Sequence, residues 1–438
     1  MWRCVAFGFN EMGGFRAAAV RWARPLVILG LSLLPATVAA VAAAEHPWPQ
    51  WRGPTRDGQY TGPRWPDTLG TNVLRATWHV ALSPGYGGPV VSADRVFTVE
   101  TRNKKHEVVL AYDRQTGREQ WRTEWEGAMS VPFFAKSNGD WIRATPALDG
   151  DRLFVAGMRD VLVCLDTADG AIRWRKDFVR ELAAPLPEFG FVSSPLVSGD
   201  AVYVQAGASV LKLAKGTGEI LWRTSRDGGG MMGSAFSSPL LATLAGRPQL
   251  VVQTRERLVG LNLDDGAELW SQPVEAFRGM NILTPVVHED RLFTSTYGGK
   301  TSGFLVSASN GVFSVTPQWT HKAQGYMSTP VVIGGVAYHH LKSQRMMAIE
   351  LATGRELWTT SESFGKYCSL VAQGDRVLAL DQRGLLFLFQ AQRDKFALLD
   401  RRELSQDETW AHLAVAGDQL FVRELLGLTA YRWSRTGN

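Results

Sequence analysis

The chain holds 438 residues, with 45% hydrophobic and 20% charged content, 44 Gly, 20 Pro and 16 Trp. That composition excludes a disordered or collagen-like chain and leaves length for several domains or one large repeat architecture. Of the net charge of +5, residues 1–44 carry +3 through Arg3, Arg16, Arg21 and Arg24 against Glu11, so the remaining +2 leaves no electrostatic footprint for nucleic acid.

The first 44 residues read as an export signal. Arg21 and Arg24 close a positive segment, Pro25 to Leu34 is an apolar core, and Ala42-Ala43-Ala44 offers small residues for cleavage before Glu45. An uncleaved anchor is the alternative, because Pro25–Ala44 holds no charge over 20 residues. Met12 is a second candidate start, and the apolar core is not followed by Cys, which argues against a lipid anchor. Export to a periplasmic or extracellular location follows from this reading.

Residues 45–72 contain five Pro and four Gly, which excludes a regular helix or central strand. Trp48, Trp51 and Trp65 exclude a bare linker, since indole rings seek burial. The stretch reads as an ordered arm packed on the main domain, with an exposed docking peptide as the alternative. A lone strand, Thr77–Leu82, comes next and has no hairpin partner before it.

Repeats begin at residue 83. Tight turns between short apolar strands fall at Ala93-Asp94, Gly150-Asp151, Gly199-Asp200, Ala245-Gly246, Glu289-Asp290, Gly334-Gly335, Gly374-Asp375 and Gly417-Asp418, 40 to 57 residues apart. A second hairpin follows the first in each repeat but the last. Its fullest copy is Ala111-Tyr112-Asp113-Arg114-Gln115-Thr116-Gly117-Arg118-Glu119-Gln120-Trp121. Further copies pair Gly170 with Trp174, Gly218 with Trp222, Gly266 with Trp270 and Gly354 with Trp358. Gly311 and Trp319 form a looser copy, and Leu385–Gln390 turns into Phe396–Leu399 without Trp.

Four strands per unit at this period is the arithmetic of a β-propeller. Eight first hairpins stand against seven second hairpins, so the chain ends one strand short. The orphan strand carrying Trp78 supplies it, and pairing the termini removes an open edge. The expectation is an all-β, eight-bladed propeller over residues 73–438, its last blade closed by the N-terminal strand.

The Ala-x-Asp-x-x-Thr-Gly-x-x-x-Trp run at Ala111–Trp121 resembles the tryptophan-docking motif of the pyrroloquinoline-quinone (PQQ)-like eight-bladed propellers. That family includes quinoprotein alcohol dehydrogenases and the propeller lipoprotein of the outer-membrane β-barrel assembly machinery. Trp48–Gly58 is similar to the N-terminal arm of exported PQQ-like repeat proteins, especially planctomycete-type ones. The resemblance implies that Trp78, Trp121, Trp174, Trp222, Trp270, Trp319 and Trp358 each stack on the adjacent blade, with Gly117, Gly170, Gly218, Gly266 and Gly354 permitting the approach. The family's enzymes imply an adjacent Cys-Cys pair, a catalytic Asp, and calcium or a lanthanide held by Glu and Asn. This chain has no Cys-Cys pair, and no such Glu/Asn/Asp set aligns. An oxidoreductase using PQQ with Ca2+ is therefore the second reading, and no cofactor is the first.

Other chemistry is sparse. No His pair has metal-ligand spacing with a Cys or carboxylate partner, and His339-His340 point to opposite faces of a strand. Gly228-Gly229-Gly230 is not followed by a helix, so a phosphate loop is unsupported. Cys164 and Cys368, 204 residues apart in apolar strands, read as two buried thiols. One constellation remains. Gly88, Thr145, Ser194, Ser238, Thr284, Thr329, Ser369 and His412 precede the inner strands and form a small polar collar at the axis. Two residues earlier stand Tyr86, Arg143, Val192, Phe236, Ile282, Met327, Tyr367 and Trp410, a largely apolar mouth. Steric crowding alone accounts for a collar of small residues. Aromatics around one Arg suit a protein or peptide partner, and Tyr86, Arg143, Phe236, Met327, Tyr367 and Trp410 are the candidate contacts. The competing reading has the arm, or the loops 130–141 and 178–189, covering this mouth. The whole reads as a monomeric exported scaffold for protein or peptide partners in the cell envelope.

Overall fold

Alternating apolar strands separated by tight turns produce eight four-stranded antiparallel sheets in the computed structural model, which describes residues 46–227, 233 and 235–434. The export-signal reading of residues 1–44 lies outside the described residues. Blade 1 runs through Val90–Val91, Arg95–Arg102, His106–Asp113 and Glu119–Glu126, from the axis outward. The next six blades repeat this order. All eight first-hairpin turns fall where the spacing predicts them. Ala245 and Glu289 take positive φ there at 46° and 53°, a conformation Gly supplies without strain at Gly150, Gly199, Gly334, Gly374 and Gly417.

The eighth blade is assembled from both ends of the chain. Ala414–Ala416, Gln419–Glu424 and Gly427–Trp433 form its first three strands, and Leu74–Ala81 is its fourth. Trp78 pairs with Ala430 beside a bulge. Trp121 opposite Ala111, Trp174 opposite Cys164 and Trp358 opposite Ala348 occupy the same position beside the same bulge in their blades. The N-terminal strand thus enters the ring in the register of a fourth strand.

Apolar residues on facing sheets fill the seams. One cluster unites Val96 and Leu110 of blade 1, Leu378 and Leu388 of blade 7, Leu420 and Phe421 of blade 8, and Trp48, Tyr60, Trp65 and Leu69 of the arm. Burying that surface is the main force closing the ring. Cys164 and Cys368 are free thiols, both buried.

Candidate functional site

The docking residues meet in a consistent direction. The hairpin Gly of one blade lies under the Trp of the blade before it. Gly117 faces Trp78, Gly170 faces Trp121, Gly218 faces Trp174, Gly266 faces Trp222 and Gly354 faces Trp319. A Cβ on Gly170 would stand 2.5 Å from the Trp121 ring, and φ there is +76°. Each indole N–H also donates across the seam. Trp78 reaches Arg114 O at 3.0 Å, Trp121 reaches Thr167 O at 2.9 Å and Trp174 reaches Lys215 O at 3.1 Å. Trp222, Trp319 and Trp358 do the same to Leu263 O, Leu351 O and Gln392 O.

Trp270 departs from this pattern. Its indole donates within its own blade, to Gln249 Oε1 at 2.6 Å. The next blade's second hairpin, Thr301–Ser309 with Val312–His321, is longer than the others, and a Cβ on its Gly311 would meet nothing within 4 Å. The lengthened hairpin carries the receiving turn away. Blade 7 departs differently. The position opposite Leu388, beside its bulge, is Asp400. Asp400 accepts from Thr68 Oγ1 and from the Leu69 amide, both at 2.6 Å. The arm therefore fills the seam that no Trp fills, with Tyr60 stacked on Trp65 at 5.6 Å in the same cluster.

The arm also closes one end of the axial channel. Trp48 bridges to Val91 of blade 1, Pro49 O receives the Leu148 amide of blade 2, and Gln59 bridges to Ala372 of blade 7. Between them, Arg52 and Arg56 turn inward and are 1% and 5% exposed. Arg52 donates to Arg56 O, Thr329 O, Asp57 O and Pro330 O. Arg56 donates to Pro195 O and Ser194 O, and to Gln50 Oε1. Two buried cations thus cap inner-strand carbonyls of blades 6 and 3, and burial lowers the pKa of Arg52 to about 10 and of Arg56 to about 9, so both stay charged at neutral pH. Trp51 lies under both guanidinium groups at 5.5 Å.

The mouth is at the other end. All of Tyr86, Arg143, Phe236, Met327, Tyr367 and Trp410 line one cavity of about 210 Å³, whose lining also includes Trp51 and the collar residues Thr145, Ser194, Ser238, Thr284, Thr329 and His412. The arm touches the inner strands beyond the collar and contributes Trp51 to the cavity lining. The loops supply wall as well: Val131, Ala135, Asn138 and Gly139 from one, Phe189 from the other. Tyr86 packs edge-on against Trp141 at 5.3 Å, and Tyr367 stacks with Trp410 at 6.2 Å. Burial pushes both phenols up, well out of reach of ionisation at neutral pH. Arg143 donates to Gly139 O and Trp141 O. Burial lowers its pKa to about 10, which still leaves it charged. Phe133 and Phe134, on the first of these loops, are 84% and 52% exposed. Trp51 and Phe189 were not in the sequence-derived mouth, because each arrives from a loop or the arm outside the repeat alignment.

The collar is more than a steric fit. The Gly88 amide donates to Thr145 Oγ1 at 3.0 Å, Thr145 to Ser194 Oγ at 3.0 Å, and Ser194 to Ser238 Oγ at 2.9 Å. Ser238 continues to Thr284 Oγ1 at 2.9 Å and Thr284 to Thr329 Oγ1 at 3.3 Å. Each collar residue up to Thr329 precedes a Pro, which has no N–H. Where Leu413 replaces that Pro, its own amide donates backwards to Ser369 Oγ at 3.4 Å, and the sense of the chain of bonds reverses.

No Asp or Glu lines the cavity among the described residues, and no cluster of three metal-ligating side chains occurs among them. The residues present therefore do not fit a calcium-bound quinone, because nothing in the cavity supplies the anionic ligands a hard cation needs.

Comparison with known proteins places these features. A family profile described as outer membrane protein assembly factor BamB matches residues 105–360. The outer membrane protein assembly factor BamB of Shewanella oneidensis is 21% identical over 378 residues, covering 81% of this chain and 87% of that protein. The Yersinia pestis protein of the same name is 20% identical over 374 residues, with 82% and 88% covered. Among solved structures, BamB from Moraxella catarrhalis superposes with a TM-score of 0.60 at 18% identity, over 84% of this chain and all but 1% of that one, which is 99% covered. The quinohemoprotein alcohol dehydrogenase of Comamonas testosteroni gives 0.61 at 13% identity, over 93% and 84%. At such identities the structural likeness speaks for the shared fold.

Proposed function

The chain belongs to the PQQ-repeat propeller family of outer membrane protein assembly factor BamB, and on that premise we propose that it is an exported scaffold that binds protein partners in the cell envelope. The observation that carries this reading is the mouth: an aromatic cavity of about 210 Å³, beside a loop that exposes Phe133 and Phe134 to water. Exposed aromatic side chains around a concave apolar site are the composition of a contact surface. The opposite end is sealed by the arm, which leaves the mouth loops as the variable surface of an otherwise repetitive ring. Periplasmic or extracellular placement and a monomeric ring complete the reading.

A photo-crosslinking amino acid placed at Phe133 or Phe134, on the first mouth loop, should form adducts with outer-membrane assembly proteins in intact cells. The same group at Val312 or Leu398, on outer strands, should not. Adducts confined to the outer strands would refute the assignment. The oxidoreductase reading is tested by mixing the purified protein with PQQ and Ca2+. The expected result is no bound chromophore and no alcohol-dependent dye reduction.

A further inference from the structure

The collar hydroxyls are hydrogen-bond acceptors with unspent protons. Thr145, Ser194, Ser238, Thr284 and Thr329 each accept a backbone amide from the blade before. All five are at least nine-tenths buried, and all line the mouth cavity. A hydroxyl that accepts one bond still carries one O–H to give. Thr284 Oγ1 also accepts from Ser237 Oγ at 3.5 Å, and among the described residues no hydrogen bond runs from any of these five hydroxyls to a protein acceptor. A buried donor without a partner costs free energy unless a ligand or water takes it.

Charge points the same way. Arg143 commits Nε and Nη2 to loop carbonyls, and among the described residues no protein acceptor takes Nη1. Arg52 and Arg56 stand behind the collar, hydrogen-bonded to carbonyls, and among the described residues no carboxylate hydrogen-bonds to them. Asp57 acts on Arg52 from the arm, behind the collar, while Asp140 beside Arg143 and Glu408, which accepts from the Trp410 indole, belong to the mouth. The walls between collar and rim are aromatic and thioether, from Tyr86, Trp410, Phe236, Met280 and Met327.

We infer that the mouth cavity binds a single carboxylate carried on an apolar body, its head held by collar hydroxyls and Arg143 and its body packed on the aromatic wall. One free guanidinium fits one negative charge, whereas a ligand with several carboxylates would leave the others buried without a counter-charge. This deepens the scaffold reading, on which it rests, by naming the chemistry the mouth grips.

The probe is 3-phenylpropionate, titrated calorimetrically into the full protein at pH 7 and low salt, with 3-phenylpropanol as its uncharged counterpart. The acid should bind at least about tenfold more tightly than the alcohol, the gain expected of a charge-assisted hydrogen bond. Arg143→Met should abolish that preference, and Ser238→Ala should weaken the acid alone. The comparison of acid with alcohol on the unaltered protein stands even if a variant fails to fold. The peptide Ala-Ala-Ala-Leu as free acid and as amide separates the sources. Preference for the peptide acid over the small acid means that a chain terminus enters the mouth, and the reverse means a free small molecule. Equal binding of acid and uncharged counterpart in both pairs overturns the proposal, as does a preference that survives Arg143→Met. Crosslinked envelope partners without any carboxylate preference would overturn this inference and leave the scaffold reading intact.

Discussion

Replacing Arg52 by Met tests whether the arm is a fastener or a passenger. The substitution keeps an apolar stem of similar length and removes the guanidinium. Two effects oppose each other. Removing a buried cation relieves its desolvation, which is large enough to lower its pKa to about 10. Against that, four carbonyls lose their donor: Arg56 O and Asp57 O of the arm, Thr329 O and Pro330 O of blade 6. Four of the five guanidinium N–H groups are satisfied in place, so the desolvation is already compensated and the loss dominates. At roughly 1 kcal/mol per orphaned carbonyl the cost is about 4 kcal/mol. Unfolding entropy near 2 cal/mol/K per residue converts this to a Tm lower by ~5 °C for a chain of this size. Arg52→Lys keeps the charge but cannot span both strands, and should fall about halfway. Circular dichroism melts at pH 7 measure both. A Tm for Arg52→Met equal to or above that of the unaltered protein would refute the reasoning, because desolvation relief would then outweigh the bridging bonds.

Two further predictions concern the seams and acid. Trp121→Ala should cost roughly 3–5 kcal/mol, and Gly170→Ala, which strains a positive φ and strikes the Trp121 ring, should also destabilise clearly. Combined, the pair should cost much less than the sum, since the ring that the new methyl strikes is gone; strict additivity in denaturant melts would contradict the docking geometry. His339, His340 and His412 are buried, and burial lowers their pKa values to about 3, 4 and 3. Unfolded His titrates near 6.5, so the stability they contribute is complete above that pH and is lost as pH falls towards 4. His339→Phe should flatten this acid limb, since neither ring nitrogen has a partner and the ring already packs edge-on against Phe293. Parallel Tm-against-pH curves for the two proteins would exclude His339 as a cause.

The fold was legible because its grammar is local. Asp113, Gly117 and Trp121 lie within nine residues, and a turn, a positive φ and a cross-strand ring demand those residue types wherever the hairpin recurs. The strand count even exposed Thr77–Leu82 as the missing fourth strand, which in the structure runs from Leu74 to Ala81. The mouth was legible for a similar reason: Tyr86, Arg143 and Trp410 share one register position on strands that converge on an axis. What escaped depended on distance along the chain. Arg52 donates to Thr329 O across 277 residues, and an Arg in a Pro/Gly-rich stretch gives no sign that it will be buried. Asp400 reads as an ordinary outer-strand acid until the arm arrives against it. Trp270 looks like its siblings, because the reason it turns inward is an extension in the next blade. The collar's small residues were visible, but their amide-to-hydroxyl bonds follow from Pro lacking an N–H in the residue that comes after.

The clasp between the two ends also governs when this protein can fold. Leu74 pairs with Trp433 and Tyr60 bonds to Gly417 O across 357 residues, so the arm and its strand must wait for segments made far later. Seven blades can form hairpin by hairpin as the chain emerges, but Leu74–Ala81 has no sheet to join until Gly427–Trp433 has been made. Loop closure over that separation is slow, and the sealed ring must break the same contacts before any terminal blade can peel away. Late closure leaves an edge exposed for a period, and in return the native state unfolds slowly once made.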